Sequence, residues 1–592
     1  MEQIMSSIGY RPDIDGLRGI AVLAVILFHA GLTSFSGGYV GVDVFFVISG
    51  FLITSILLRE VRSGQFSFRS FYIRRARRLL PALFLTLAAT LVAGLFLLLP
   101  SEMVALGKAT LATLFFSSNI YFWDKKSTYF GLDVETEPLL HTWSLGVEEQ
   151  FYIFFPLLLL FIFRISRGHN RKIFLLLALI TSASLLANLL LTPFYTKFSF
   201  YMISNRAWEL LAGALLALPI IPMIKSPRAA SLLALTGALL LILAVFGLKE
   251  NSVFPGYNAL LPVMAAALII HTGKNHQALV HRLLRIRPIW FCGLISYSLY
   301  LWHWPITVYI NMLWESAWSP AIIISLSLGL AFLSWRFVEQ RYHRSPGTDG
   351  PQKERQPKTE LATLGILVFV FSLGIILAQG IPSRIEDTVY ADAGIPRNDS
   401  VRKRFLQSCK SISELLPDSS GIEGRRCPLG ARNGPPEFVL WGDSHARALA
   451  PAFNQAALEL GISGWLFNQS GCRTLLGVYR DGKYDCRNFN KTVANLIDQT
   501  PSIQSIFIAG YWRVPLMGKS YDNNNFLIMD EMTETLSPKE NIRVFGRGLR
   551  RSLEHFPGRS VNMIEDVPEV GSSFGKEVAN HFLRAVWLDS GL

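Results

Sequence analysis

The sequence predicts a polytopic α-helical membrane domain of about eleven spans followed by a soluble α/β domain with a parallel sheet. Three observations carry that expectation. Apolar windows of membrane-spanning length recur through the first 380 residues. Short clusters of Arg and Lys separate them. From residue 437 onward, short β-rich runs such as "FVLW" and "SIFIAGYW" alternate with amphipathic stretches such as "ARALAPAFNQAALEL" and "RNFNKTVANLIDQ", the pattern of a parallel sheet covered by helices.

The 592 residues are 51% hydrophobic and only 17% charged, with a mean hydropathy of +0.34. That is too apolar for a soluble enzyme of this length. Spans are expected near 14–33, 40–58, 79–99, 144–163, 173–192, 206–222, 229–247, 258–272, 289–311, 319–338 and 360–380. The first run is long, has no small-residue cleavage site and is followed at once by a second, so it reads as a span rather than a cleavable signal. The net charge of +13 does not imply a nucleic-acid partner, because the basic residues sit in short loops where the positive-inside rule accounts for them.

Those loops set the expected orientation. Arg59, Arg62, Arg69, Arg74, Arg75, Arg77 and Arg78 face the single acid Glu60 between the second and third windows, which places that loop and the N-terminus in the cytoplasm. Later clusters at 164–172, 225–228, 274–287 and 341–355 alternate correctly if eleven spans are counted. The apolar stretch 103–122 would break the alternation if it crossed, so it is expected as a re-entrant or surface helix on the outer side. An odd count of spans exports everything after residue 380. Four of the five cysteines, Cys409, Cys427, Cys472 and Cys486, lie in that exported part, and neighbours are expected to pair as disulfides. The implied division is 1–340 membrane domain, 341–380 cytoplasmic loop and last span, 381–435 periplasmic linker, and 436–592 the α/β domain.

Ionisable residues at membrane depth are costly and mark function by default. In "GLRGIAVLAVILFHAG", Arg18 and His29 are eleven residues apart. That spacing returns them to one helix face about 16 Å apart along the axis. Neutral imidazole suits His29 to a base role, and Arg18 to holding an anionic donor. "HTWSLGVEEQFY" places His141 and Glu148 seven residues apart on one face, again suited to proton transfer on a hydroxyl. Trp143 and Tyr152 there suit interfacial anchoring, which leaves the paired Glu148 and Glu149 unexplained. Asp43 stands in a glycine-rich window made for close helix packing, and Tyr297 and His303 in "ISYSLYLWHWP" fit aromatic packing. Arg74, Arg75, Arg77 and Arg78 in "FYIRRARRLLPA" could grip the phosphates of a soluble cofactor. At the end of the first β-run, "WGDSHAR" puts Ser444 between a strand and the helix it opens, where backbone N–H groups can stabilise an oxyanion. Asp443 there is either a catalytic partner or a helix cap.

Together these stretches resemble acyltransferase family three, the bacterial membrane O-acyltransferases, in the subgroup with a fused SGNH domain. "RPDIDGLRGIAVLAVILFHAG" contains the family's arginine, ten residues, histidine pattern. "GGYVGVDVFFVISGFLI", "FYIRRARRLLPA", "HTWSLGVEEQFYIFFP" and "FVLWGDSHA" follow in order. The resemblance implies that an acetyl group passes from cytoplasmic acetyl-CoA across the bacterial inner membrane to a hydroxyl of an envelope polysaccharide such as lipopolysaccharide O-antigen, or of peptidoglycan or exopolysaccharide. It implies His29 as the catalytic residue, the "RRARR" arginines as the donor site and Ser444 as an acyl acceptor, with no metal, no permanently bound cofactor and no nucleic-acid partner. A transporter of donor or glycan would equally use Arg, His and Asp in the membrane, but gives no reason for an exported serine domain. One departure matters. The SGNH pattern ends in an Asp, two residues, His element, and none follows "MIEDVPEVG"; either the chain is shortened or altered at its end, or His581 or His555 substitutes.

Overall fold

The computed structural model describes residues 10–125, 136–249, 252–274, 278–314, 316–343, 351–384, 409–412, 424–431, 434–480, 485–512, 516 and 527–564. The chain forms two compact units, divided between Glu386 and Asp387.

The first unit is helical: α1 (Pro12–His29), α2 (Gly41–Arg62), α3 (Phe68–Leu97), α4 (Pro100–Leu114), α5 (Ser118–Asp124), α6 (Thr142–Ile165), α7 (Asn170–Leu191), α8 (Ile203–Leu216), α9 (Pro227–Gly247), α10 (Leu260–Thr272), α11 (Arg287–Leu294), α12 (Ser296–Leu313), α13 (Ser319–Ser334) and α14 (Pro351–Leu377), with short turns between. Among the described residues, seven helices are long and apolar enough to cross a membrane by length and composition. All eleven expected windows fall on helices, but four do not meet that standard. The first, α1, carries Asp13, Asp15 and Arg18. The window at 206–222 is a 14-residue helix, that at 258–272 a 13-residue one, and that at 289–311 breaks at Ile295 between α11 and α12. The stretch 103–122 breaks into α4 and α5, of 15 and 7 residues, about 22 and 10 Å long and too short to cross singly.

Local chemistry explains the helices that build the site. α1 starts on Pro12, whose missing N–H costs nothing at a first turn. α3 is capped by Ser67, whose hydroxyl accepts from the Ser70 N–H. Its 30 residues span about 45 Å, roughly 15 Å more than a hydrocarbon layer, and the overhang matches the stretch from Phe68 through Arg78. α2 and α8 approach backbone to backbone. A Cβ on Gly50 would lie 1.7 Å from the Leu210 carbonyl oxygen, and one on Gly213 2.0 Å from that of Val47.

The second unit is a six-stranded sheet in the order β1-β2-β4-β3-β5-β6: β1 (Lys410–Ser411), β2 (Arg425–Gly430), β3 (Phe438–Gly442), β4 (Ser463–Asn468), β5 (Ser505–Ala509) and β6 (Ser560–Ile564). The expectation of a parallel sheet needs correction. β4, β3, β5 and β6 are parallel, but β2 adds to β4 antiparallel and β1 to β2 likewise. β1 and β2 come from the stretch expected to be linker. Disulfides Cys409–Cys427 and Cys472–Cys486 join neighbours in sequence as expected. Alternation along β3 sorts the two faces. Val439 and Trp441 pack with Phe489 and Val493 of α16 (Cys486–Asp498) and Val544 of α17 (Pro538–Glu554). Phe438 and Leu440 pack with Ala446 and Ala450 of α15 (Ser444–Leu460).

Candidate active site

A cavity of about 390 Å³ opens inside the helical unit. Its wall includes Arg11, Arg18, Arg59, Arg74, Arg75, Arg77 and Arg78, faced by Glu148 and Glu149. All five arginines expected to hold a donor therefore meet in one place, brought from α1 and α3. Several are already oriented by neighbours. Arg74 pairs with Glu60 at 2.6 Å, Arg18 lies 3.6 Å from Asp15 one turn earlier, and the Arg75 guanidinium sits 4.1 Å over the Tyr152 ring. Glu148 accepts hydrogen bonds from Ser49 of α2 and from the Tyr152 hydroxyl. Tyr297 also lines the cavity and donates to the Leu79 carbonyl at 3.0 Å.

Beyond Tyr300, which belongs to the cavity wall, three histidines converge. His29, at the last position of α1, has its Nδ1 3.1 Å from His303 Nε2. The two rings stack at 5.2 Å, and Trp304 meets His29 edge-on at 4.6 Å. His141 meets His303 and Tyr300 edge-on, each at 5.5 Å. The Tyr300 hydroxyl reaches the His141 carbonyl at 2.9 Å and Ser144 at 2.6 Å. Arg18 and His29 thus do belong to one helix, Arg18 in the arginine cavity and His29 in the histidine cluster, and Tyr300 touches both cavity and cluster.

Two expectations about this region change. Trp143 and Tyr152 are buried, at 2% and 4% exposure, so they are not interfacial anchors; Trp143 helps enclose a buried arginine and Tyr152 carries Arg75. Asp43 is more than a passenger in a packing seam. It accepts from Arg206 at 2.8 Å, Arg206 also reaches Glu209 at 3.2 Å, and the three side chains are at most 1% exposed. The guanidinium lies 5.5 to 5.9 Å from the rings of Phe46, Trp143, Phe200 and Phe254. Arg206 and Glu209 are not among the residues singled out from sequence, although two charges at i and i+3 inside an apolar window are themselves the signal.

In the second unit, the strand register aligns Gly442 with Asn468 and Ala509, and Ala509 with Ile564. The carboxyl edge of the parallel strands therefore gathers Asp443, Ser444 and Tyr511. Ser444 is exposed at the first position of α15. Asp443 is buried and serves as a tie: it accepts from the His445 N–H at 2.8 Å and the Tyr511 N–H at 3.0 Å, with Arg473 at 3.5 Å. That is the capping role and not a contact to Ser444. The His445 ring is engaged by Asp443 at 3.2 Å and stacked on Tyr511 at 5.0 Å. Among the described residues, His555 does not stand beside Ser444. It pairs with Asp498 at 3.0 Å, and both residues precede the strands β6 and β5, at the opposite edge and about 16 Å away along the strands. His581 lies outside the described residues.

Residues 11–337 match the family described as an acyltransferase domain, and residues 409–590 match one described as an SGNH domain fused to AT3 domains. The chain is similar to the peptidoglycan O-acetyltransferase OatA of Listeria monocytogenes, with 32% identity over 56% of this chain and 55% of that protein. It is similar to the putative peptidoglycan O-acetyltransferase YrhL of Bacillus subtilis, at 34% over 56% and 54%. It is also similar to the O-acetyltransferase OatA of Staphylococcus aureus strain MRSA252, at 30% over 64% of each. The chain thus spans between about half and two thirds of the length of these relatives. No solved structure matches it significantly.

Proposed function

The chain belongs to the acyltransferase family and carries an SGNH domain fused to it, and on that premise we propose that it transfers an acetyl group from cytoplasmic acetyl-CoA to a hydroxyl of an envelope polysaccharide. The observation that carries this reading is the pairing of an arginine-walled cavity with the His29 cluster on the same helix. Guanidinium groups suit the phosphates of the donor. At the histidine end, the acceptor oxygen would bond to the thioester carbonyl carbon as His29 takes its proton. The C–S bond then breaks, and the imidazolium returns the proton to the leaving thiolate.

The direction of transfer follows from the topology proposed with it. Eleven crossings of the inner (plasma) membrane, with the N-terminus inside, place the arginine mouth in the cytoplasm and the SGNH domain in the periplasm. The basic loops and the two disulfides support that arrangement. Ser444 as a relay for the acyl group rests on the family resemblance; the described residues supply no free base beside it. The names of the relatives favour peptidoglycan as acceptor, with lipopolysaccharide O-antigen as the alternative.

The test separates these acceptors. Cells lacking the gene are restored with wild type or His29→Ala, and ester-linked acetate released by mild base is measured from purified peptidoglycan and, separately, from lipopolysaccharide. Wild type should restore acetate in one fraction, and His29→Ala, at equal abundance, should lose about 10²–10⁴-fold in rate. Near-normal acetylation by His29→Ala refutes the mechanism.

A further inference from the structure

His303 lies 274 residues from His29 and the reaction as proposed gives it no task, yet its hydrogen bonds decide where the protons on His29 sit. Its Nδ1 is 2.6 Å from the backbone carbonyl oxygen of Tyr300. A carbonyl oxygen carries no proton, so Nδ1 of His303 must. His303 is fully buried, and among the described residues no carboxylate lies within ion-pair distance of it, so a second ring proton would be an uncompensated buried charge. The neutral ring then presents a bare lone pair at Nε2. That lone pair faces Nδ1 of His29 at 3.1 Å, and the contact is a hydrogen bond only if His29 holds its proton on Nδ1. Nε2 of His29 is thereby left without a proton and with its lone pair free.

We propose that His303 is a positioning residue that holds His29 in the Nδ1–H tautomer, making Nε2 the atom that receives the acceptor's proton. The chain of contacts runs Tyr300 carbonyl, His303, His29, each link donating in one direction. Which ring nitrogen of a histidine is protonated is set by what the other nitrogen bonds, and a base in the wrong tautomer cannot take a proton at the reacting face. Trp304 completes the orientation: its Nε1–H is fixed to the Glu137 carbonyl at 2.8 Å, and its ring braces His29 edge-on. His29 stays partly exposed while His303 is wholly buried, as a reacting group and its support should be. The inference rests on His29 being the base of the reaction proposed above.

Two substitutions separate proton placement from packing. His303→Gln keeps an acceptor oxygen near the Nε2 position but loses the ring; His303→Phe keeps the ring and loses both nitrogens. Acetate transfer to envelope glycan, measured as above, should fall at least about tenfold in Phe and stay within a few-fold of wild type in Gln, approaching the full worth of the base only in Phe. A role in packing reverses that order. Independently of activity, the full-length chain labelled with ¹⁵N-histidine in lipid nanodiscs should show the His29 signals, identified by their loss in His29→Ala, as a neutral ring protonated at Nδ1. A proton on Nε2 of His29, or activity in Phe exceeding that in Gln, overturns the proposal. Acetylation surviving in His29→Ala would instead overturn the reading beneath it, and the nitrogen signature would still report the tautomer by itself.

Discussion

Arg206 holds two carboxylates with one guanidinium nitrogen, at 2.8 Å to Asp43 and 3.2 Å to Glu209, in a site at most 1% exposed. The three substitutions Arg206→Met, Asp43→Asn and Glu209→Gln should therefore not cost alike. At an effective dielectric constant of 20, the closer attraction, to Asp43, is about 6 kcal/mol before desolvation and the repulsion between the two neighbouring acids are counted. Removing the arginine leaves both acids buried with no counter-charge, a loss of about 3–5 kcal/mol. Asp43→Asn leaves the Arg206–Glu209 pair standing and costs about 1.5–3 kcal/mol, the worth of a hydrogen bond to a charged group. The triple substitution discharges the site and should recover about 1–3 kcal/mol of the Arg206→Met loss. It should still fall short of wild type by about 2 kcal/mol, for the guanidinium no longer enclosed by the four aromatic rings. Thermal unfolding of the detergent-solubilised full chain, followed by the fluorescence of its 13 tryptophans and by retention on size exclusion, reads the order directly. An Asp43→Asn protein as unstable as Arg206→Met, or a triple variant no better than Arg206→Met, refutes the reasoning.

Two further predictions concern stability. Asp530 in the second unit is hydrogen-bonded by Arg547, Thr533 and Arg551, and Arg547 above all holds its carboxyl well below the ordinary 3.8. A depressed folded value stabilises at any pH above the unfolded value, and that stabilisation drains as the pH falls from about 4 towards the folded value. The stability gap between wild type and Asp530→Asn, measured by urea unfolding of that unit's signals in the full chain, should be constant from pH 7 to 5 and shrink below pH 4; an unchanging gap at pH 3 contradicts the assignment. In the helical unit, Gly50→Ala sets a Cβ 1.7 Å from the Leu210 carbonyl, whereas Gly329→Ala meets nothing within 4 Å. Overpacking of this kind costs about 1–3 kcal/mol or more, so Gly50→Ala should lower the yield of monodisperse protein several-fold while Gly329→Ala leaves it unchanged, and equal yields would show that the two helices part without cost.

Legibility in the sequence follows a physical division between local and remote information. Arg18 and His29 are legible because eleven residues are close to three helical turns, and periodicity is a local property. The "RRARR" cluster is legible because basic residues at a membrane boundary leave a compositional mark. The pairing of disulfides in the second unit agrees with the expectation since each cysteine's partner is near in sequence. By contrast, Arg206 meets Asp43 across 163 residues and His303 meets His29 across 274, and nothing local ties such segments together. Trp143 and Tyr152 show the same limit from the other side. An aromatic near a membrane mouth satisfies either burial or the interface, and only its remote neighbours decide. β2, "RRCPLG", carries little strand alternation of its own; pairing along β4 holds it in the sheet, and nothing in its own residues replaces that partner.

The remote contacts also bear on the cavity wall. α2 carries Asp43, fixed to α8 through Arg206, and six residues later Ser49, which donates to Glu148 in the cavity. Those two contacts stand about 9 Å apart on one rigid helix. The close approach at Gly50 and Gly213 removes the side-chain cushion that would let α2 slide against α8, so the ion pair sets not only the register of two helices but the height at which Ser49 meets Glu148. An arginine outside the cavity lining thereby bears on the carboxylate wall that faces the cavity's arginines. Conservative changes at Asp43 should, on this account, disturb use of the donor before they disturb the His29 cluster, which α1 and α12 hold through contacts of their own.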